Sequence, residues 1–264
     1  MTNPFAVTAN AQPITKITQT FARTTDQPVK IGIVIPVLNN FKGATELIES
    51  VRTSHDYKFY ILDQWKHTDR PLAEAWNMGH DRAVADGCTH IFILNDDILF
   101  CKTSIDNAVK EYDRLKDTGV VLVSLNNVFG EYNERIEDFY NLDQQYTVPV
   151  EVADHPNYSA FLVGSDFFEK VGRFDENFKP AWFEDNDSHR RITLLGLRAI
   201  CTVAASCLHY GGVTTAMLAP ERKSSEKSRQ YYVKKWGGLY DSATYLTPYN
   251  DPSSTPKDWT PNYA

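Results

Sequence analysis

The stretch HIFILNDDILF, residues 90–100, decides how the rest of the chain is read. His90 to Leu94 is a short apolar run rich in β-formers, the mark of a strand buried on both faces. It runs straight into Asn95-Asp96-Asp97, and Ile98-Leu99-Phe100 then turn apolar again. Two adjacent carboxylates between hydrophobic runs are costly, because like charges repel and partial burial strips their water. A cation, a hydrogen-bond network or exposure at a strand end must offset that cost.

On either side of this stretch, strand and helix signals alternate. IGIVIPV (31–37) is a second buried strand, which Pro36 is expected to end and Asn39-Asn40 to turn. Ala44, Leu47, Ile48 and Val51 then recur at helical spacing. KFYILD is a strand ending on Asp63. The next helix has Pro71 near its start, Leu72, Ala75, Trp76, Gly79 and Ala83 on one face, and Gly87 at its close. After residue 100, Thr103 or Ser104 caps a helix that Gly119 ends, and VVLVSL is a fourth strand. Four strand–helix units with short connections predict an α/β fold: a largely parallel sheet with helices on both faces. Ligands in such sheets bind at the carboxyl ends of the strands, where Asn39, Asp63 and Asn95-Asp96-Asp97 all fall.

Beyond residue 124 the alternation breaks into a polar, aromatic and irregular segment, followed by a helix near 165–171, a strand near 198–205 and CLHYGGVTT. The break implies one domain over 30–240, with a nucleotide half (30–124) and an acceptor half (125–240), between an N-terminal extension (1–29) and an extended, proline-bearing tail (241–264). The chain has 264 residues, 42% hydrophobic and 12% aromatic, enough for a large core without covalent staples. Its formal charge of −7 gives no general attraction to nucleic acid or anionic membrane. Cys88, Cys101, Cys201 and Cys207 form no CxxC pair and are expected as buried thiols of a reducing compartment. With neither a signal-peptide pattern nor an apolar run of spanning length, a cytoplasmic location is expected.

No GxGxxG or GxxxxGK[ST] follows the first strand, which disfavours a dinucleotide cofactor or a P-loop. Hard divalent cations such as Mg²⁺ and Mn²⁺ take one or two carboxylates together with substrate phosphates. In an extended segment Asn95 and Asp97 share a face and suit that role; an exposed turn is the alternative. In AWFEDNDSHRR, an aromatic pair precedes Glu184-Asp185 at the start of a helix. Capping is one role for these acids; a carboxylate whose pKa the aromatic pair raises toward that of a general base is the other. His209, at the end of an apolar strand before Gly-Gly, is either a satisfied strand-end histidine or a nitrogen ligand.

The ordered set IVIPVLNN, Asp63, LNDD, VGRFDENF, WFEDND and LHYGG resembles the family 2 glycosyltransferases of GT-A fold, over residues 30–212 and most closely from Phe161 to Gly196. The resemblance implies a GT-A-like single domain and an inverting, metal-dependent transfer of a sugar from a nucleoside diphosphate, with a UDP-sugar favoured, to an acceptor hydroxyl on a glycan or glycoconjugate. It places Pro36, Val37 and Asn39 against the nucleotide and Asp63 on its base or ribose. Asn95-Asp96-Asp97 is similar to the family's DxD, with Asp96 near the ribose or sugar and Asp97 a ligand of Mn²⁺ or Mg²⁺. Asn95 stands where that motif has its first Asp. Asp185 matches the general base, Glu184 the residue that grips the acceptor, and His209 the histidine that completes the metal site in some members.

The stretch 221–236 has six cations against two anions. It is expected as a solvated helix face, or as a flap that brings Arg222, Lys223 or Lys227 to the donor diphosphate over Tyr231, Tyr232 and Trp236. A third reading is contact with a nucleic-acid backbone, since some viral relatives of this fold glycosylate hydroxymethylated bases of DNA. From another class, a sugar-nucleotide-binding module without catalysis would keep the fold but have no need of Asp185.

Overall fold

The computed structural model describes residues 29–67, 69–128, 136–148, 155–216 and 225–258. Its centre is a seven-stranded sheet in the order β2-β1-β3-β6-β5-β7-β4. β1 (Lys30–Val37) runs parallel to β2 (Asp56–Asp63) on one side and to β3 (His90–Leu94) on the other. β5 (Val120–Asn127) is parallel to β7 (Arg198–His209). Between these groups lies β6 (Ala160–Gly164), antiparallel to both neighbours, and β4 (Ile98–Phe100) closes the far edge antiparallel to β7. Five strands therefore share one direction, and only β4 and β6 oppose it.

Helices cover both faces, as the alternation predicts, and two short ones, α4 (Ile136–Asn141) and α7 (Val213–Ala216), follow β5 and β7. α1 (Phe41–Ser50) and α3 (Ser104–Leu115) enclose a core with Ile31, Ile33, Phe92 and Leu94. On the other face, α2 (Leu72–Ala85), α5 (Phe167–Val171) and α6 (Glu184–Leu194) pack over Val34, Ile91, Ile93 and Phe161. The approach of α2 to β1 is close: a Cβ on Gly79 would lie 2.1 Å from a Val34 methyl, and one on Gly32 would lie 2.6 Å from the Ala83 Cβ. Only glycine admits that spacing.

Four features depart from the sequence-based expectations. Pro36 does not end β1; it pairs with Leu62 and the strand continues to Val37. The fourth expected strand is not a neighbour of the third, because β6 enters between them from the irregular half. The strand expected near 198–205 runs on to His209, with a register shift opposite Leu125 and Asn126, and Ile98–Phe100 pair with its end. A three-residue strand is too short to show a period of two.

The fourth departure is the basic stretch. Its described part is α8 (Glu226–Trp236), where Lys227 is exposed but Tyr232, Lys235 and Trp236 are buried. The Lys235 ammonium lies 2.7 Å from Asp175 Oδ2 and 2.6 Å from Asp187 Oδ1. Asp187 also accepts from Trp236 Nε1 (2.8 Å) and pairs through Oδ2 with Arg191 Nε (2.9 Å), and Tyr231 Oη donates to Asp175. Burial alone would raise the Asp187 pKa; Lys235 and Arg191 hold it below the ordinary carboxylate value. The residues after α8, expected as an extended tail, are docked. Thr244 N and Tyr245 N donate to the Trp236 carbonyl, Arg190 Nη2 donates to the carbonyls of Ala243 and Tyr245, and Tyr249 Oη donates to Tyr231 Oη.

No described helix is long and apolar enough to cross a membrane. All four cysteines are free thiols, three buried and Cys201 partly so.

Removing one partner from a buried, fully paired ion cluster leaves a charge without compensation and typically costs about 3–5 kcal/mol. Lys235→Met is expected to lower the urea unfolding free energy by about that much. A loss under about 1 kcal/mol would show that the cluster carries little of the stability.

Candidate active site

The carboxyl ends of β1, β2 and β3 open into one cleft of about 310 Å³. Pro36, Leu38, Gln64 and Arg70 line its first side, and Asn95, Asp96 and Asp97 lie at the end of β3. Asn157, Tyr158, Ser159, Trp182, Glu184 and Asp185 come from the part of the chain after β5, and Gly212, Thr214 and Thr215 from the segment after β7.

Strand pairing assembles the acid–histidine part. Ile98 stands opposite His209 in the β4–β7 ladder, so the residue before Ile98 lies next to the imidazole. His209 Nε2 is 3.2 Å from Asp97 Oδ1. The Tyr210 amide donates to the Asp97 carbonyl at 3.1 Å, and the Val213 amide reaches Asp97 Oδ2 at 3.4 Å. On its other ring nitrogen, His209 Nδ1 lies 3.4 Å from the Asn127 amide nitrogen. Asp96 is 5% exposed: its Oδ1 accepts from the Thr214 hydroxyl at 2.6 Å, while Oδ2 is buried without a partner. Burial, with the Asp97 charge adding to it, pushes the Asp96 pKa up to about 6, against the hydrogen bond from Thr214.

An oxygen from the turn before β4 and an imidazole nitrogen from the end of β7 suit a borderline divalent ion such as Mn²⁺. Among the described residues no group of three or more His, Cys, Asp or Glu side chains could hold a metal. Two protein ligands are, however, what a cation needs when substrate phosphates complete its sphere. The orphaned Asp96 Oδ2 beside this pair is a further acceptor that the protein itself leaves unused.

The second acid pair begins α6. Trp182 and Phe183 both take left-handed backbone angles, φ 73° in each case. Such a conformation costs of order 1–3 kcal/mol for a non-glycine residue and persists only where packing fixes it. Here Phe183 is packed against Tyr232 and stacked on Tyr240 at 5.9 Å, while Trp182 lines the cleft. The strained turn aims the first residues of α6 into the cleft. Glu184 is 4% exposed with Oε2 buried and unpartnered, and Asp185 Oδ1 accepts from the Asn186 amide. Burial raises the pKa of both, and for Glu184 the Asp185 charge adds to the rise, which is large.

The sequence-predicted residues divide accordingly. Pro36, Asn95, Asp96, Asp97, Glu184 and Asp185 line the cleft, and His209 pairs with Asp97. Val37 does not: alternation along β1 turns its side chain toward α1, where it is a core residue 2% exposed. Asn39 keeps a buried, unpartnered Oδ1 but is absent from the cleft lining. Asp63 stands one step outside, 3.6 Å from Arg70 Nη1, and its neighbours Gln64 and Arg70 provide the lining instead. Lys227 lies on α8 and does not reach the cleft; Arg222 and Lys223 lie outside the described residues. Arg70, Gln64, Thr214 and Asn157–Ser159 were not singled out from sequence, because none stands in a spacing that marks it. Arg70 is the one cation lining the cleft among the described residues, and Asp63 and Glu74 already flank it.

No family model matches the chain, and no curated protein matches it in sequence. Solved structures do match in fold. The catalytic domain of Drosophila beta1,4-galactosyltransferase 7 in complex with xylobiose superposes with a TM-score of 0.52 at 14% identity, covering 84% of each chain. A mutant of that enzyme with manganese, UDP-Gal and xylobiose gives 0.51 at 14% identity, over 76% of this chain and 78% of that one. S. aureus TarS 1-349 in complex with UDP-GlcNAc gives 0.50 at 12% identity, over 78% of this chain and 65% of that one. The chain thus spans less than two thirds of the TarS piece. At these identities the likeness establishes a GT-A-like fold.

Because Glu184 holds its proton more tightly in the fold than in the unfolded chain, its ionisation costs stability as pH rises above its ordinary value of 4.5. Glu184→Gln is therefore expected to melt higher than the wild type at pH 8, with the gap closing toward pH 5. An equal gap at both pH values would contradict the buried-acid assignment.

Proposed function

We propose that the chain is an inverting, metal-dependent glycosyltransferase that moves a sugar from a nucleoside diphosphate to an acceptor hydroxyl of a carbohydrate. The observation that carries this reading is that Asp97, which pairs with His209, lines the same cleft as Glu184 and Asp185. Complexes of the fold neighbours with UDP-Gal, UDP-GlcNAc, manganese and xylobiose support the donor, cation and acceptor classes.

Charge argues for the cation. Leaving aside Glu184, which burial keeps protonated, three aspartates (Asp96, Asp97 and Asp185) and one already flanked arginine line the cleft among the described residues, an environment that would repel a diphosphate. Asp97 and His209 would hold Mn²⁺ or Mg²⁺, which when bound offsets that charge and stabilises the leaving diphosphate. Pro36, Leu38 and Gln64 would bound the nucleotide, and Arg70, flanked from outside the cleft by Asp63, would hold its polar edge.

Asp185 acts on the acceptor. Its raised pKa makes it a better proton acceptor than an exposed aspartate. As the acceptor oxygen bonds to the anomeric carbon, its proton passes to Asp185, and the bond from that carbon to the diphosphate oxygen breaks. Attack from the face opposite the leaving group inverts the anomeric configuration. Glu184, with an unpartnered oxygen, orients a second hydroxyl of the acceptor. Trp182 offers an apolar wall for a sugar ring.

A thermal-shift screen of UDP-, GDP-, dTDP- and CMP-sugars with and without Mn²⁺ names the donor. With that donor, Asp185→Asn is expected to lower kcat by about 10²–10⁴ while leaving donor affinity close to wild type. Undiminished turnover would remove Asp185 as the base; a wild type that binds the donor but transfers nothing to any glycan would favour a binding module. Asp97→Ala is expected to abolish the part of donor binding that depends on Mn²⁺. Equal affinities with and without the ion in the wild type would remove the cation from the reading.

A further inference from the structure

We infer that Asn40 is a positioning residue for the metal-binding turn: its amide ties the start of α1 to the peptide that carries Asp97. The inference rests on the reading that Asp97 and His209 hold a divalent cation. Asn40 is 8% exposed and works at both ends of its side chain. Oδ1 accepts from the Gly43 amide at 3.1 Å and so caps α1. Nδ2 donates to the Asp96 carbonyl at 2.9 Å, a partner 56 residues away.

Capping accounts for only half of this. An N-cap needs an acceptor, and Ser, Thr and Asp provide one about as well as Asn. What Asn adds is a second polar atom, an amide nitrogen that donates to the aspartate turn while the oxygen caps the helix. The Asp96 carbonyl belongs to the peptide whose nitrogen is that of Asp97, so fixing its direction fixes the plane from which the Asp97 side chain leaves.

Gly43 supports the same conclusion independently. A Cβ there would lie 2.4 Å from the Asp96 carbonyl oxygen and 2.2 Å from Asn40 Nδ2. The first turn of α1 therefore touches the aspartate turn closely enough to exclude even a methyl group. From the other side, the Tyr210 amide holds the Asp97 carbonyl. The two successive carbonyls, Asp96 and Asp97, are thus pinned by different elements, which leaves the Asp97 carboxylate preset beside His209. Loss of an outer partner that orients a metal ligand typically costs about 10–100-fold in metal affinity.

The test uses the whole chain and Mn²⁺ alone, with binding followed by loss of the free-ion EPR signal. Wild type is expected to bind. Asn40→Ser and Asn40→Thr, which keep a capping oxygen and remove the amide nitrogen that reaches the Asp96 carbonyl, are expected to bind about 10–100-fold more weakly with urea midpoints near wild type. Gly43→Ala is expected to weaken binding likewise. Wild-type affinity in the folded Ser and Thr variants overturns the positioning role while leaving the function intact. Affinity that falls only in step with the folded fraction also overturns it. A wild type that binds no Mn²⁺ alone, and whose affinity for UDP is the same with and without the ion, removes the metal reading itself, and this inference with it.

Discussion

Three residue pairs between β4 and β7 hold the site together. Ile98, Leu99 and Phe100 stand against His209, Leu208 and Cys207, and this register alone decides that an aspartate from one half of the chain meets a histidine from the other. A slip of one residue would turn every side chain of β4 to the opposite face. The ladder is short, but it is well fixed: Ile98, Leu99 and Phe100 are all buried, and the Phe100 amide donates to the Ser50 hydroxyl on α1. The apolar residues after the acid pair thus serve the acids before them.

The second acid pair is maintained at a cost. Two left-handed aromatic residues and a buried glutamate beside an aspartate are each unfavourable locally. They persist because α6 is anchored from behind. Asp187, two residues after Asp185, is fixed by Lys235, Arg191 and Trp236, and Arg190 is fixed by the carbonyls of the docked segment. The aromatic cluster of Phe178, Phe183, Tyr232 and Trp236 fills the space beneath. Stability is concentrated one turn away from the strained turn that faces the cleft.

Much of this was legible from periodicity and position. β1, β2, β3, α1 and α2 carry strong local signals, and the expectation that carboxylates gather at strand ends follows from the alternation alone. What local patterns do not show are pairings between distant segments. The antiparallel entry of β6, the extension of β7 to His209 and the three residues of β4 exist because of partners far along the chain. Lys235 reads as a solvated lysine because nothing nearby in sequence reveals that Asp175 and Asp187 await it. Val37 was misplaced for a simpler reason: adjacency to Pro36 on a strand means the opposite face. Asn40 was legible as a turn residue, whereas its second arm depends on a contact 56 positions away.

The lateness of Lys235 in the chain has a bearing on biosynthesis. Ribosomes deliver residues in order, at roughly 5–20 per second. The sheet strands through β7 and the helix carrying Glu184 and Asp185 are all translated before α8. Until α8 emerges, Asp187 has Arg191 but neither Lys235 nor Trp236, and Phe183 has neither Tyr232 nor Tyr240 to lie against. The nascent polypeptide can therefore form the strand ends beside Asp96 and Asp97 early, whereas the turn that presents Glu184 and Asp185 is clamped only after translation has passed Trp236.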